Sequence, residues 1–114
     1  MPKGLFLALS NPVSDAVEGD FNQWYDDVHV KEVLAIPGVK SARRFRLADA
    51  QVMPGDEAMG RRYLAVYEVE VDDWQGFADA QMQAFAEGRI TINGDLLEMD
   101  PMVKTMVFEE LDQS

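Results

Sequence analysis

Four stretches of the chain have the apolar pattern of β-strands, and their placement limits the fold more than any other feature of the sequence. Gly4–Ser10 is apolar at nearly every position, which is typical of a central strand buried on both faces. Arg61–Val71 alternates between two faces and is rich in aromatic and β-branched residues. Val39–Ala48 and Met102–Leu111 predict two further strands, so the sequence indicates a sheet of four.

Two segments with helical spacing lie between these strands. The first begins at Asp20, which can cap it, and ends before the turn at Ile36–Gly38. The second begins at Asp72 or Asp73 and ends at Gly88. The order β-α-β-β-α-β predicts an α+β, ferredoxin-like fold with a four-stranded antiparallel-type sheet, since right-handed crossovers leave few other arrangements. All 114 residues, 1–114, are expected to form one domain.

The predicted sheet has one face that its own helices cannot cover. Two helices cover a single face of four strands, yet the first and third strands carry apolar side chains toward both. A second copy of the chain is the simplest cover for the other face. We therefore expect a homodimer.

The composition excludes several classes of function. A formal net charge of −11 opposes binding to nucleic acid and to anionic membrane surfaces. There is no cysteine, which excludes thiolate catalysis and cysteine-based metal sites, and one histidine cannot make a two-histidine metal site. No phosphate-cradling or dinucleotide-binding motif is present. The chain is expected to be cytoplasmic and to need no cofactor and no metal, with a loop over residues 49–60.

The one histidine, His29, lies in the first predicted helix. An apolar stripe on this helix contains Phe21, Trp24, Tyr25 and Val28. His29 lies at the edge of the stripe, one turn after Tyr25, and the pattern slips beyond it, which predicts a break or kink. An imidazole can take and give a proton near neutral pH. The alternative is a histidine that packs at the rim of the core and bonds to backbone.

Other residues have a functional and a structural interpretation. Tyr25, Tyr63 and Tyr67 could orient a substrate oxygen or pack against neighbouring strands. Arg43 and Arg44 point to opposite faces of the second strand, so one of them is expected to be buried, with Glu68 as an internal partner. An anionic substrate is the alternative partner for a buried arginine.

The segment Phe21–Leu47 resembles the dimeric α+β barrel superfamily, and within it the EthD-like and methylmuconolactone methylisomerase-like branches. It has their aromatic-rich first helix, followed by a histidine and a Pro-Gly turn that leads into an arginine-bearing strand. The superfamily contains cyclases, lactone isomerases and haem-degrading monooxygenases, many of them in bacterial catabolism. The resemblance implies a dimeric α+β barrel with His29 as acid/base. Relatives often have proline two residues after the histidine, where this chain has Lys31.

These observations predict a cofactor-independent isomerase, cyclase or lyase that acts on a small, apolar, oxygenated molecule, aromatic or lactone-like. The predicted catalytic residues are His29 and Tyr25. The predicted substrate-binding residues are Trp24, Phe21, Val28, Arg43, Tyr63, Tyr67 and Glu68. The alternatives are a haem-binding or oxidising monooxygenase-like protein with His29 as axial ligand, and a non-catalytic dimeric module that binds a small molecule.

Overall fold

The computed structural model describes residues 2–53, 60–99 and 103–111. Its elements are β1 (Lys3–Ser10), a 3₁₀ turn (Asp15–Val17), α1 (Glu18–Trp24), a π-helical turn (Tyr25–His29), α2 (Val30–Leu34), β2 (Val39–Arg46), β3 (Tyr63–Glu70), α3 (Trp74–Ala86) and β4 (Lys104–Glu109). Residues 54–59 of the predicted loop, and residue 102 of the predicted last strand, lie outside the described residues.

The four strands form one sheet in the order β2-β3-β1-β4, and every neighbouring pair is antiparallel. The two central strands are β1 and β3, so β1 and β2 run parallel on either side of β3. The prediction of a ferredoxin-like α+β fold is confirmed. No helix within the described ranges has the length and apolar character needed to cross a bilayer.

Alternate side chains of the central strands lie on opposite faces of the sheet. The helices cover the face that carries Ala8, Tyr63, Ala65, Tyr67 and Val69, all of which are buried. The opposite face, which we call the open face, carries the other set: Leu5, Leu7 and Leu9 of β1, Leu64 and Val66 of β3, Phe45 of β2, and Met106 and Phe108 of β4. Leu5, Phe45 and Phe108 are 38%, 41% and 52% exposed, so this apolar face is uncovered within one chain.

A β-bulge changes the predicted faces of β2. The register shifts between Val39 and Ser41, and Val39 then pairs with Val69 while Ala42 pairs with Tyr67. Val39 is therefore buried under the helices with Ala42, and does not share a face with Ser41 as strict alternation predicted. A bulge adds one residue to one strand, which reverses the alternation beyond it.

The first helical segment begins earlier than predicted, at Glu18, so Asp20 lies in its first turn and does not cap it. The predicted irregularity is present as the π-helical turn at Tyr25–His29. Phe21, Tyr25, His29 and Val33 follow at four-residue spacing, and a step of four residues overshoots a 3.6-residue turn by about 40°. The wider π-helical turn rotates the chain less per residue. This smaller rotation brings the Val33 side chain back to the face that carries Phe21.

The turn at Ile36–Gly38 ends this segment as the sequence predicted. Gly38 has a φ of 95°, and a Cβ atom there would lie 2.5 Å from Cγ1 of Val71 and 2.8 Å from the Glu70 carbonyl oxygen. Only glycine therefore fits where the chain turns into β2. The second helix also begins as predicted, since the Asp73 carboxylate accepts a 2.6 Å hydrogen bond from the Gly76 amide.

Candidate active site

A cavity of about 380 Å³ lies between α3 and the helix-covered face of the sheet. Its walls come from β1, β3 and β4, from the π-helical turn with α2, from α3, and from the segment over residues 90–97. Most of the lining is apolar and includes Phe6, Phe77, Phe85, Ile90, Leu97 and Val107. The polar side chains on the walls are those of Tyr25, His29, Tyr67, Gln81 and Thr105. A few polar groups in an apolar cavity are typical of a small-molecule site.

The imidazole of His29 is held between two aromatic rings. It stacks on Trp24 with the ring centroids 5.0 Å apart, and it meets the ring of Tyr25 edge to face at 4.9 Å. The four-residue step across the π-helical turn places Tyr25 and His29 side by side on the cavity wall. His29 is therefore fixed by packing on the wall of the cavity.

A carboxylate lies beside one nitrogen of the His29 ring. Nδ1 of His29 is 3.4 Å from Oε1 of Glu32, one helical turn away, without the geometry of a hydrogen bond. The Glu32 carboxylate is itself held by Thr91, whose backbone amide and hydroxyl both donate to it at 2.9–3.1 Å. Burial lowers the pKa of His29 below its ordinary value, against the raising effect of Glu32 and of the Thr91 backbone. His29 is thus neutral at neutral pH.

Three hydroxyl groups lie close together, and two of them belong to residues of the cavity wall. The Tyr25 hydroxyl interacts with those of Ser10 and Tyr67, and all three residues are buried. Burial raises the pKa of Tyr25 and of Tyr67, so both phenols stay protonated and able to donate. The Tyr67 hydroxyl lies near that of Tyr25 but forms no hydrogen bond of good geometry.

Arg44 lies behind the wall of the cavity. Its guanidinium group is 4.3 Å from the centroid of the Tyr25 ring, and it donates hydrogen bonds to the Asp26 carboxylate and to the Asn22 side chain, both at 2.9 Å. It lowers the pKa of Tyr25, against the larger effect of burial. Of the three arginines on β2, Arg43 lies on the open face, while Arg44 and Arg46 pair with Ala65 and Tyr63 on the covered face. Arg46 is exposed, so Arg44 is the one that is partly buried under the helices.

Three buried polar atoms of cavity-wall residues lack a hydrogen bond of good geometry in the protein. Nδ1 of His29 faces Glu32 and the Tyr67 hydroxyl lies near that of Tyr25, while Nε2 of Gln81 is the third. Tyr67 is only 1% exposed. A buried donor without a partner costs about 1–3 kcal/mol, so such atoms are uncommon in folded proteins. The Tyr67 hydroxyl and Nε2 of Gln81 belong to residues that line the same cavity as His29, and a bound molecule could satisfy both atoms.

The other predicted substrate-binding residues lie outside this cavity. Phe21 and Tyr63 are buried, and the Tyr63 hydroxyl donates to the Glu18 carboxylate and accepts from Asn22. Val28 is 43% exposed. Arg43 lies on the open face, where its guanidinium group lies over the Phe45 ring, and Glu68 lies on the same face. Trp24 contributes by stacking on His29.

Sequence reasoning did not select Glu32 or Gln81 as site residues, although both left a signal. Glu32 is one of two charged residues, with Lys31, at which the apolar stripe of the first helix slips. Gln81 is a polar residue one turn after Phe77 on the covered side of α3. A polar side chain on an apolar helix face is the pattern that singles out each of them.

Within residues 2–53, 60–99 and 103–111, no group of three histidine or acidic side chains is arranged to hold a metal ion. The site as described offers proton-transfer and hydrogen-bonding groups.

Comparison with known proteins identifies a family for most of the chain. A family model described as a domain of unknown function, DUF4286, matches residues 7–95. No curated protein matches the chain.

Solved structures similar to the chain include three proteins of low sequence identity. An ethyl tert-butyl ether D (EthD) family protein from Bacillus halodurans C-125 has a TM-score of 0.58 and 17% identity, over 97% of this chain and 100% of that one. A dimeric ferredoxin-like protein of unknown function from Thermobifida fusca YX has a TM-score of 0.58 and 16% identity, over 94% and 90%. A dimeric ferredoxin-like protein of unknown function from Jannaschia sp. CCS1 has a TM-score of 0.58 and 12% identity, over 95% and 99%. The resemblance to this superfamily is confirmed, and at such identity it establishes the fold alone.

Proposed function

The chain belongs to the DUF4286 family, which is defined by a domain of unknown function, and we propose that it is a cofactor-independent enzyme of the isomerase, cyclase or lyase type. In this proposal His29 takes a proton from a small, largely apolar, oxygenated molecule bound between α3 and the sheet. The molecule is aromatic or lactone-like, since the walls are apolar and rich in rings.

The convergence of unpaired donors on an apolar cavity beside a buried histidine is the observation that carries this proposal. The Tyr67 hydroxyl and Nε2 of Gln81 have no partner in the protein, and His29 lines the same cavity. A volume of about 380 Å³ lies within the range of about 300–1,000 Å³ for ligand sites. A bound carbonyl oxygen would accept hydrogen bonds from the two donors.

The proposed reaction is a proton transfer at carbon. Nδ1 of His29 is turned to Glu32, so Nε2 is the nitrogen that takes the proton from a carbon next to the substrate carbonyl. The C–H bond breaks, an N–H bond forms on Nε2, and the electron pair passes to the carbonyl oxygen. Tyr67 and Gln81 donate to that oxygen while its negative charge develops. Return of the proton to another carbon gives an isomer, while loss of a leaving group gives elimination.

The surrounding residues fit these roles. The Glu32 carboxylate, held by Thr91, stabilises the imidazolium that forms during the transfer. Tyr25 orients the Tyr67 hydroxyl through the contact between their oxygens, and Trp24 holds the His29 ring by stacking. Arg44 places positive charge behind the phenols, which favours a negatively charged oxygen near them.

The test uses two carbon acids as probes, α-angelica lactone and β-tetralone, in buffered D₂O. We expect the native protein to isomerise the lactone or to exchange the acidic protons of the ketone, and His29→Ala to lose at least about 100-fold of the rate. Circular dichroism and sedimentation show whether His29→Ala keeps its fold and its assembly. A rate that survives the substitution contradicts the mechanism.

The same cavity also fits the second candidate function, a non-catalytic module, because unpaired donors bind a ligand whether or not it reacts. Saturable binding of the probes without exchange, equally in the native protein and in His29→Ala, would favour the module. Haem binding through His29 is the third alternative. A Soret band in the reconstituted native protein that disappears in His29→Ala would favour it.

The proposal includes a homodimer formed through the open face. All four strands contribute apolar side chains to that face, alongside the charged Arg43 and Glu68, and it is uncovered within one chain. Two of the similar solved structures are described as dimeric ferredoxin-like proteins, which supports the same arrangement. An exposed apolar patch of this extent is typical of a surface between subunits. The cavity, on the other side of the sheet, then belongs to each subunit separately.

A further inference from the structure

We propose that the cavity selects uncharged molecules and rejects carboxylates of the same shape. This inference rests on the proposed function, because it names the class of molecule that the same cavity takes. The first observation is the absence of cations from its lining. All ten lysines and arginines of the chain lie in the described residues, and none of them lines the cavity. A carboxylate bound there would have no cationic side chain as a partner, which is costly in an apolar site.

The charged groups beside the wall residues His29 and Tyr25 also oppose an anion. The Glu32 carboxylate lies 3.4 Å from His29 on the cavity wall and would repel a negative ligand. Arg44 is the nearby cation, but it lies behind the Tyr25 ring, and the Asp26 carboxylate compensates its charge at 2.9 Å. The positive charge of Arg44 acts on the cavity across the Tyr25 and Tyr67 phenols. At that distance it favours the transient negative charge of a transition state more than the full charge of a bound carboxylate.

The polar atoms on the wall fit a neutral ligand. The Tyr67 hydroxyl is an unpaired donor, and the Gln81 side-chain amide offers both a donor and an acceptor. A ketone, ester, lactone or amide matches these groups without a counter-charge. The mouth is apolar as well, since Met82, Phe85 and Val107 line the cavity and remain partly exposed to solvent.

The test compares cinnamamide with cinnamate, which have nearly the same shape and differ in charge. Binding to the full-length protein is measured by calorimetry at pH 8, where the lowered pKa of His29 keeps its imidazole neutral and unable to act as a counter-ion. We expect cinnamate to bind at least about 100-fold more weakly than cinnamamide, since a carboxyl group with a pKa of about 4.3 is almost wholly ionised at that pH.

A charge substitution tests the cause. Gln81→Lys places a cation on the cavity wall and is expected to strengthen cinnamate binding at least about tenfold without strengthening cinnamamide binding. Gln83→Lys adds the same charge to an exposed position of α3, outside the cavity lining, and is expected to change neither. Circular dichroism of both variants shows whether they are folded.

The outcomes separate this inference from the proposed function. Equal binding of cinnamate and cinnamamide to the native protein overturns the inference alone, because the cavity is then occupied but does not discriminate by charge. An equal gain of cinnamate affinity in Gln81→Lys and Gln83→Lys also overturns it. If neither molecule binds, and the lactone and ketone probes do not bind either, the proposed function fails and the inference fails with it.

Discussion

The imidazole of His29 is held by three neighbours that act on it in different ways. Trp24 and Tyr25 fix its position and remove it from water, while Glu32 supplies negative charge beside Nδ1. Burial lowers the pKa of His29 and outweighs the effect of the carboxylate. Because the chain has a single histidine, one imidazole resonance in the NMR spectrum follows this balance directly.

This lowered pKa makes the stability of the protein depend on pH in a defined direction. Well above a pH of about 6.5 the histidine is neutral in the folded and the unfolded state, and its titration does not affect the free energy of unfolding. As the pH falls through 6.5 toward the lower pKa of His29 in the folded protein, the unfolded chain binds a proton and the folded chain does not. The free energy of unfolding therefore falls. We expect urea unfolding to show this loss in the native protein and not in His29→Gln. Parallel stability curves for the two proteins would contradict it.

Replacing the carboxylate isolates its effect. Glu32→Gln removes the negative charge that raises the pKa of His29, so that pKa is expected to fall further below its ordinary value. An NMR titration of the imidazole measures the shift. Glu68→Gln is the matched control, because it removes the same charge from the open face on the other side of the sheet. An unchanged titration in Glu32→Gln, or equal shifts in both variants, would show that the contact has no electrostatic role.

Two tyrosines on β3 provide a contrast between a paired and an unpaired hydroxyl. Tyr63→Phe breaks the bonds to Glu18 and Asn22 and is expected to cost about 1–3 kcal/mol of the free energy of unfolding. Tyr67→Phe removes a hydroxyl without a partner and is expected to leave the stability unchanged or raised by up to about 1 kcal/mol. Chemical denaturation measures both.

The ligand affinities of these two variants should show the opposite order. Tyr67→Phe is expected to weaken binding of cinnamamide by about fivefold to tenfold, whereas Tyr63→Phe leaves it unchanged, since Tyr63 lies outside the cavity. A large loss of stability in Tyr67→Phe would mean that its hydroxyl is satisfied within the protein and is not available to a ligand.

How far the site could be predicted depended on the range of the interactions. His29 and Tyr25 lie one turn apart on a single helix, so their proximity followed from helical spacing. Gln81 reaches the cavity from a different helix, and Thr91 reaches Glu32 across 59 positions of sequence. Such contacts depend on how α3 and the segment after it pack on the sheet, and periodicity does not encode that packing. The bulge in β2 likewise hid the pairing that places Arg44, not Arg43, under the helices.

At the scale of the elements, the π-helical turn is the feature that places the histidine. It keeps side chains at four-residue spacing on one face, whereas a regular α-helix would need the spacing to alternate between three and four. The sequence showed this irregularity only as a slip in the apolar pattern, because hydrophobic periodicity registers a change of phase and not the hydrogen bonds that cause it. Both helices and all four strands were otherwise predicted, with ends displaced by at most two residues.

Shortening that turn by one residue separates its structural role from its functional one. Deletion of the exposed Asp27 changes the spacing from Tyr25 to His29 to three, which a regular α-helix accommodates while the apolar faces on both sides stay buried. We expect helical circular dichroism to persist and stability to change by less than about 1 kcal/mol. Asp27→Ala keeps the length of the turn and serves as the control.

The histidine should respond to the deletion even though the fold does not. We expect the pKa of His29 to move back toward its ordinary value and cinnamamide binding to be lost in the deletion variant, because the ring turns relative to the cavity. Asp27→Ala should retain both. Normal titration and binding in the deletion variant would mean that the turn is not needed to place His29.

At the scale of the whole molecule, the proposed homodimer depends on the open face. Leu7→Lys places a charge at its centre, on β1 opposite Val66 and Met106, and is expected to yield a monomer. Sedimentation should give twice the 12.8 kDa mass of the chain for the native protein and the single mass for the variant. Val13→Lys, at an exposed apolar position outside the sheet, should remain dimeric. A monomeric native protein would contradict the proposed assembly.

Alternation along β1 has a consequence for how such a protein can diverge. Phe6 and Ala8 line the cavity, while Leu5, Leu7 and Leu9 between them lie on the open face. Selection for a new ligand can therefore change the cavity positions, while the open-face positions vary independently or adapt to a different protein surface. The shape of the cavity and the surface of the open face are thus encoded in the same short segment, but substitutions can alter one without the other. An inserted or deleted residue would exchange the two sets and disrupt both properties together, so this strand can vary in its residues far more freely than in its length.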